Sequence, residues 1–533
     1  MVNFMVRWQK APVPRDQLVL IAECLEERIP ENHPVRLLDE ILDGHDWSDW
    51  EAEYDGHLGQ PAIHPSILSK TILYALLRRI RSSRQIEYAV SHNIDFIWLV
   101  SGRSIDHTTI SKFRTAHAEQ LRELYRSVCK QALHLGVAKL AEVCIDGSRV
   151  MGNANRFKTI TAEKAEKLLE ELDKQIATAM EELEQNDEIA EAFGDDCGDE
   201  LPPEMSDLKV RQAKLREVQE QLQESNAARR QDGIDPQKNP AQLSTTDPDA
   251  RILPNKSGGY APNYTPMAVT ETENGFIVGA DVLVGNVEHV EAVAMIDRLE
   301  TDYGEQPDAA LGDAAYSTGP NIADFEERSI ELLSPLAGGD AGNDNPAIRE
   351  EPTQPVPDDQ LDELPLNKQT KRFDKQAFVY DEEKDVYYCP AGQELPYVYS
   401  ETTKAHGQTV KRRSYQCKAC RGCPMASRCR PNPNAKNGRR VRRDEYEAHR
   451  ERHRQKMRDP KVQERYKARL HYGETQFAFI KQWMNLRQFL LRGIDKVRQE
   501  WLWSCTAFNL KKLMGFWRTI CADNGENAAE IER

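Results

Sequence analysis

Three carboxylates stand where cation chemistry would need them. Asp146 closes the apolar run Val143-Cys144-Ile145-Asp146-Gly147-Ser148, and Asp313 closes Ala309-Ala310-Leu311-Gly312-Asp313. Short β-branched and apolar runs of this kind read as buried strands. A third acid, Glu474, sits in a helical stretch near the end of the chain. Two strand-end carboxylates side by side at one sheet edge, joined by an acid from a helix, can hold a pair of Mg2+ (or Mn2+) ions roughly 3.5–4 Å apart. Such a pair activates a water or a 3′-hydroxyl and stabilises a leaving oxygen. Strands also end on Asp for reasons of turn geometry, so the pattern alone leaves that reading open.

A second group is built from sulfur. Cys389 lies in Tyr388-Cys389-Pro390-Ala391-Gly392, followed by Cys417-x2-Cys420-x2-Cys423 and Cys429. Cys-x2-Cys spacing lets two thiolates grip one Zn2+ from a tight turn, and remote cysteines can close a tetrahedral structural site. Five candidates for four places leave the ligand set open. The scattered cysteines, Cys24, Cys129, Cys144, Cys197, Cys505 and Cys521, read as packing residues or surface thiols.

The charge distribution suggests what these groups act on. The 533-residue chain carries a net charge of −16, yet residues 404–518 hold 30 Lys and Arg against 9 Asp and Glu. Such a concentrated basic tract fits a phosphate backbone, or else a solvated basic helix. Its aromatics, among them Trp483, Phe489, Trp501, Trp503 and Phe508, alternate with Arg492, Lys496 and other bases. They could stack on nucleobases, although core packing is the better account of the tryptophans. No apolar run approaches the roughly 18 residues of a membrane helix, and the start of the chain lacks a basic-then-apolar leader. These features predict a cytoplasmic protein with no membrane partner.

The positioning elements follow from periodicity. Residues 63–100 read as helices, with Ile67, Leu68, Ile72, Leu73, Leu76 and Leu77 at helical spacing and Ser82 and Ser83 as an N-cap before the next helix. Asp106 caps a further helix on which Thr108, Thr109, Ser111, Lys112 and Arg114 are expected to be exposed. Lys112 and Arg114 are then candidate DNA contacts of a helix-turn-helix-like unit, the other reading being a helical bundle. Residues 118–138 continue as an amphipathic helix. Residues 160–231, rich in Glu, Lys, Ala, Leu and Gln, predict an antiparallel hairpin of two long helices broken at Asp195–Pro203. Asn263–Val269 and Phe276–Val284 flank the hairpin turn Glu273-Asn274-Gly275. Helix, strand, helix and strand over Val287–Thr301, Ala309–Asp313, Asn321–Glu327 and Ile330–Leu333 complete a mixed α/β sheet. The Gly-, Asp- and Pro-rich stretch 337–370 predicts a linker.

The run Tyr466-x2-Arg469-x4-Glu474-x6-Lys481 resembles the signature helix of bacterial insertion-sequence transposases of the DDE type. The same resemblance extends to Phe489–Val497, Glu500 and Ala507-Phe508-Asn509-Leu510. It extends also to Ile145-Asp146-Gly147-Ser148 with Asn153-Ala154-Asn155, and to Gly312-Asp313-Ala314-Ala315-Tyr316-Ser317. Gly59-Gln60-Pro61 with His64-Pro65, Ser83–Glu87 and Thr109–Arg114 are similar to the family's helical N-terminal domain. Several motifs in order are more specific than any one. The resemblance implies an RNase H-like mixed-sheet core in which Asp146, Asp313 and Glu474 are the catalytic, Mg-binding acids, with Glu500 the competitor for third acid. Arg469 and Lys481, with Tyr466, would grip a phosphate near the scissile bond. Glu474 departs from the pattern in being followed by Thr475-Gln476-Phe477-Ala478.

The expected architecture is therefore an all-α N-terminal domain (1–135), an RNase H-like α/β core (136–156 and 245–336), a helical-hairpin insertion (157–244) and a linker (337–375). A Cys-rich, zinc-ribbon-like module (376–435) and C-terminal helices completing the core (436–533) follow. The implied activity is binding of terminal inverted repeats in double-stranded DNA, then metal-dependent cleavage and strand transfer into target DNA by a homodimer at the bacterial nucleoid. The alternatives are a metal-dependent nuclease without strand transfer and a zinc-containing DNA-binding protein whose acids no longer act.

Overall fold

A computed structural model of the chain describes residues 24–54, 61–155, 157–193, 203–231, 234–255, 258–405 and 408–531. Gly59 and Gln60, Cys197 and most of the Asp195–Pro203 break lie outside the described residues. Contacts divide the chain into two units, residues 1–124 with 510–533, and residues 125–509.

The first unit is helical. Its helices are α1 (Pro34–Asp43), α2 (Ser48–Ala52), α3 (Pro65–Leu77), α4 (Ser83–His92), α5 (Ile94–Leu99), α6 (His107–Ala116) and the start of α7 (Ala118–His134). Val35, Leu38, Leu73, Phe96, Ile110 and Phe113 are buried in it, and Trp50 stacks on Phe113 with ring centroids 5.4 Å apart. The Asp106 carboxylate accepts the Thr108 and Thr109 N–H groups, satisfying donors at the start of α6 as expected. Ser82 stands at the N-cap of α4 without a side-chain cap bond. One expectation fails on α6. Arg114 is 5% exposed and donates to the Arg81 carbonyl at 2.8 Å, whereas Lys112 is exposed. Arg114 falls one residue after Phe113 on the same inward face, so it holds the helices together and is closed to DNA.

The second unit is α/β. One mixed sheet takes β1 (Glu142–Gly147), β2 (Val150–Met151), β3 (Thr159–Ile160), β4 (Leu243–Ser244), β5 (Arg251–Pro254), β6 (Tyr260–Glu271), β7 (Ile277–Leu283), β8 (Ala309–Leu311) and β9 (Glu331–Leu333). Its order is β3-β4-β5-β6-β1-β8-β9, with β2 and β7 also on β6. β1 runs antiparallel to β6 and parallel to β8, and β8 runs parallel to β9. Parallel neighbours need a crossover, which α10 (Glu288–Tyr303) and α11 (Gly319–Glu327) provide. α8 (Ala162–Phe193) and α9 (Pro203–Gln231) form the expected hairpin. Ile160, Ala165, Val218 and Leu222 pack at its base, and Arg216 pairs with Asp173 farther along.

A five-stranded antiparallel sheet follows, β10 (Val379–Asp381), β11 (Val386–Tyr388), β12 (Glu394–Ala405), β13 (Gln408–Gln416) and β14 (Arg440–Asp444), with the short helix α12 (Ala426–Cys429). Its core holds Phe373, Phe378, Tyr387, Leu395, Tyr415 and Val441, and also Ala347, Val356 and Leu364. The stretch 337–370 is thus not a loose linker. Its widely spaced apolar residues are part of this core. The chain then forms α13 (Glu447–Met457), α14 (Pro460–Tyr466), α15 (Ala468–Gln482) and α16 (Ile494–Ile531). Among the described residues no helix is long and apolar enough to cross a membrane.

Candidate active site

β1 lies between two paired neighbours, so it reads as a continuous apolar run rather than an alternation. Val143, Cys144 and Ile145 are buried to 1% or less. Its register on β8 pairs Glu142 with Ala309, Val143 with Ala310 and Cys144 with Leu311. The same register carried two residues on brings Asp146 opposite Asp313. β8 itself stops at Leu311, so Asp313 stands just past the strand, its Oδ1 accepting the Ala315 N–H at 2.8 Å.

α15 covers this edge at very close range. A Cβ on Gly473 would lie 3.3 Å from both Asp146 Oδ2 and Cys144 Sγ, so glycine is what lets the helix sit there. One turn earlier, Arg469 Nη2 is 3.6 Å from Asp146 Oδ1. Two turns after Gly473, Lys481 Nζ donates to Ser148 Oγ at 2.6 Å and to the Arg149 carbonyl at 2.7 Å. The inward face is completed by Gln476, Phe477 and Ile480, with Phe477 stacked on the buried Trp501. Glu474, about 100° further round the helix than Gly473, is exposed.

Burial pushes the Asp146 carboxyl up to about 7. Arg469 and the Gly147 N–H pull it down, while Asp313 and Glu288 push it further up. A buried acid facing other acids is stabilised by a cation. Among the described residues, however, no group of three or more His, Cys, Asp or Glu side chains is gathered to hold a metal ion. Asp146, Asp313 and Glu474 are therefore not closed on one point. The reason is the inward position of Gly473, which leaves Glu474 on the flank.

Glu288 is the acid that sequence reasoning missed. A Cβ on Gly147 would lie 2.6 Å from Glu288 Oε2, which places this carboxylate against the backbone next to Asp146. Glu288 Oε1 pairs with Arg149 at 2.7 Å. The buried Tyr316 feels Glu288, Asp146 and Asp313 together. Glu288 opens α10 directly after the strand-turn signals, and that position was the available clue. Glu500 is 1% exposed and accepts the Leu490 and Leu491 N–H groups, which makes it a structural acid rather than a competitor of Glu474.

The other predicted residues separate in the same way. Tyr466 is half-buried beside Arg469. Arg492 is exposed, and its Nε holds the Asn153 carbonyl at 2.8 Å. Lys496 is exposed. Trp501, Trp503, Phe489 and Phe508 are core residues. Cys389, Cys417, Cys420, Cys423 and Cys429 all line one small cavity in the antiparallel-sheet module.

A transposase DDE domain model matches residues 388–514, which include Glu474 and Lys481. A transposase domain model (DUF772) matches residues 23–116, most of the helical unit. No curated protein and no solved structure matches the chain. The DDE family implies DNA as the partner and a divalent metal as the cofactor. Two different transposase models falling in series on one chain support an insertion-sequence DDE transposase.

Proposed function

We propose that the protein binds the terminal inverted repeats of its element as a homodimer, cleaves one strand at each end and joins the freed 3′-hydroxyl to target DNA. The observation that supports this reading is the β1–β8 register, whose continuation past Cys144 and Leu311 would bring Asp146 beside Asp313, under a helix whose Lys481 bonds Ser148 just past β1. In this reading the mixed sheet is an RNase H-like core. Asp146, Asp313 and the flanking Glu474 would hold Mg2+, which when bound supplies Lewis acidity at the scissile phosphate. Arg469 and Lys481 would clamp non-bridging phosphate oxygens, fixing the strand in line for attack. The exposed Lys112, Arg492 and Lys496 would contact the backbone and set position more than sequence. No covalent protein–DNA bond is needed, because oxygen attacks phosphorus in both steps.

A labelled element-end duplex incubated with the protein, Mg2+ and target plasmid tests the proposal. Strand joining that is lost in Asp146→Asn, Asp313→Asn and Glu474→Gln supports it. Cutting without joining would mean a nuclease, and binding without cutting would leave only a DNA-binding protein.

A further inference from the structure

The cysteine cluster lies in the antiparallel-sheet module, and the strand chemistry above makes no use of it. We propose that it is a structural zinc site whose four ligands are Cys389, Cys420, Cys423 and Cys429, with Cys417 a fifth thiol outside the ligand set. The five cysteines line a cavity of about 20 Å3, room for a single ion or water. The donor set is all sulfur, which selects a soft or borderline cation.

The surroundings of the sulfurs are those of metal ligands. The backbone N–H groups of Ala391 and Gln393 turn to the Cys389 sulfur across the Cys389-Pro390-Ala391-Gly392 turn. Gly392 has φ +72°, and a Cβ there would lie 2.2 Å from the Thr353 carbonyl oxygen, so only glycine fits. The Arg439 N–H donates to Cys420 Sγ at 3.2 Å. Its approach depends on Gly438, where a Cβ would lie 1.8 Å from the Cys417 carbonyl oxygen. N–H···S bonds of this kind orient ligands and offset their charge.

Three arginines hold the backbone at three of the four proposed ligands. Arg349 donates to the Cys389 carbonyl at 3.0 Å, Arg430 to the Cys420 carbonyl at 2.8 Å and Arg439 to the Cys429 carbonyl at 3.1 Å. Four thiols binding one Zn2+ release four protons and leave a net charge of −2, which three guanidiniums at this range offset. Cys429 lies within electrostatic reach of Cys420, Cys389 and Cys423. Cys417 differs. It is 2% exposed just past β13, where the other four are only partly buried, and its sulfur hydrogen-bonds with both Cys389 and Cys420. As arranged, Cys417 bonds Cys389 and Cys420 as thiols and, among the described residues, no three sulfurs are gathered on one point; zinc would draw Cys389, Cys420, Cys423 and Cys429 to a common centre.

The test is metal analysis of the full chain purified without chelator. About one zinc per chain is expected, retained in Cys417→Ser and lost in Cys420→Ser and Cys429→Ser. Because a ligand variant can fail to fold, cobalt-substituted wild type and Cys417→Ser provide a second readout. Both should give the intense visible bands of a tetrahedral site and a sulfur-to-cobalt charge-transfer band. A wild-type chain below about 0.1 zinc, weak octahedral cobalt bands, or zinc lost from Cys417→Ser but kept by Cys423→Ser would each overturn the assignment. None of these outcomes depends on strand joining.

Discussion

Replacing Asp146 by Asn should stabilise the protein in EDTA, and more so as pH rises. The Asp146 carboxyl ionises near 3.8 in an unfolded chain and near 7 when folded, chiefly because it is buried. A group raised in the folded state contributes stability below its unfolded value, and that stability is lost as pH climbs through the folded value. Each pH unit between the two values is worth about 1.36 kcal/mol, so the acidity of Asp146 weakens the fold by about 4 kcal/mol at pH 8 and by about 2 kcal/mol at pH 5. Asn cannot ionise, and any constant effect of its amide cancels between the two pH values. The gain of Asp146→Asn over wild type should therefore grow by about 2.5 kcal/mol from pH 5 to pH 8. For a unit of this size that is about 3 °C in melting temperature. Differential scanning calorimetry in EDTA reads it directly. Saturating Mg2+ favours the ionised acid and should remove most of the difference. An Asn gain that is flat between pH 5 and pH 8 would refute the claim that a cation is required there.

Other substitutions separate machinery from scaffold. Gly473→Ala adds a methyl 3.3 Å from Asp146 Oδ2 and should lower strand joining about tenfold while leaving melting nearly unchanged, since the helix itself gains up to about 1 kcal/mol. Lys481→Met removes both bonds to the Ser148–Arg149 turn and should reduce joining at least a hundredfold, measured with a pre-cleaved end. Glu500→Gln should lower stability by about 2 kcal/mol by weakening its hold on the Leu490 and Leu491 N–H groups, with Mg2+ dependence unchanged. On α6, Lys112→Ala should reduce the salt slope of DNA binding by about 1, whereas Arg114→Ala should chiefly destabilise the helical unit, by about 2 kcal/mol.

The parts of the fold that repeat a period were readable in advance. The apolar runs around Asp146 and Asp313, the Glu273-Asn274-Gly275 turn and the leucine pattern of α8 and α9 each became the expected element. What failed depends on contacts remote in sequence. Arg114 has the composition of a surface residue and is buried because the Arg81 carbonyl meets it. Residues 337–370 lack any period, yet Ala347, Val356 and Leu364 fill a core formed by later strands. Glu288 comes against Gly147, next to Asp146, because the first residue of α10 meets the end of β1, and a residue pattern does not record packing. Glu474 was legible as a motif residue. That Gly473 would take the inward place beside it was not, although a glycine within a helix, at about 1 kcal/mol relative to alanine, is itself a sign of close approach.

The central claim is that acids on two adjacent strands and one covering helix share divalent cations. Anomalous diffraction from Mn2+-loaded crystals of the protein bound to its cleaved DNA end tests it most directly. Manganese should be bonded to both Asp146 and Asp313, with Glu474 completing the coordination. Manganese absent from Asp146, or bound elsewhere while the end is still joined to target, would contradict it.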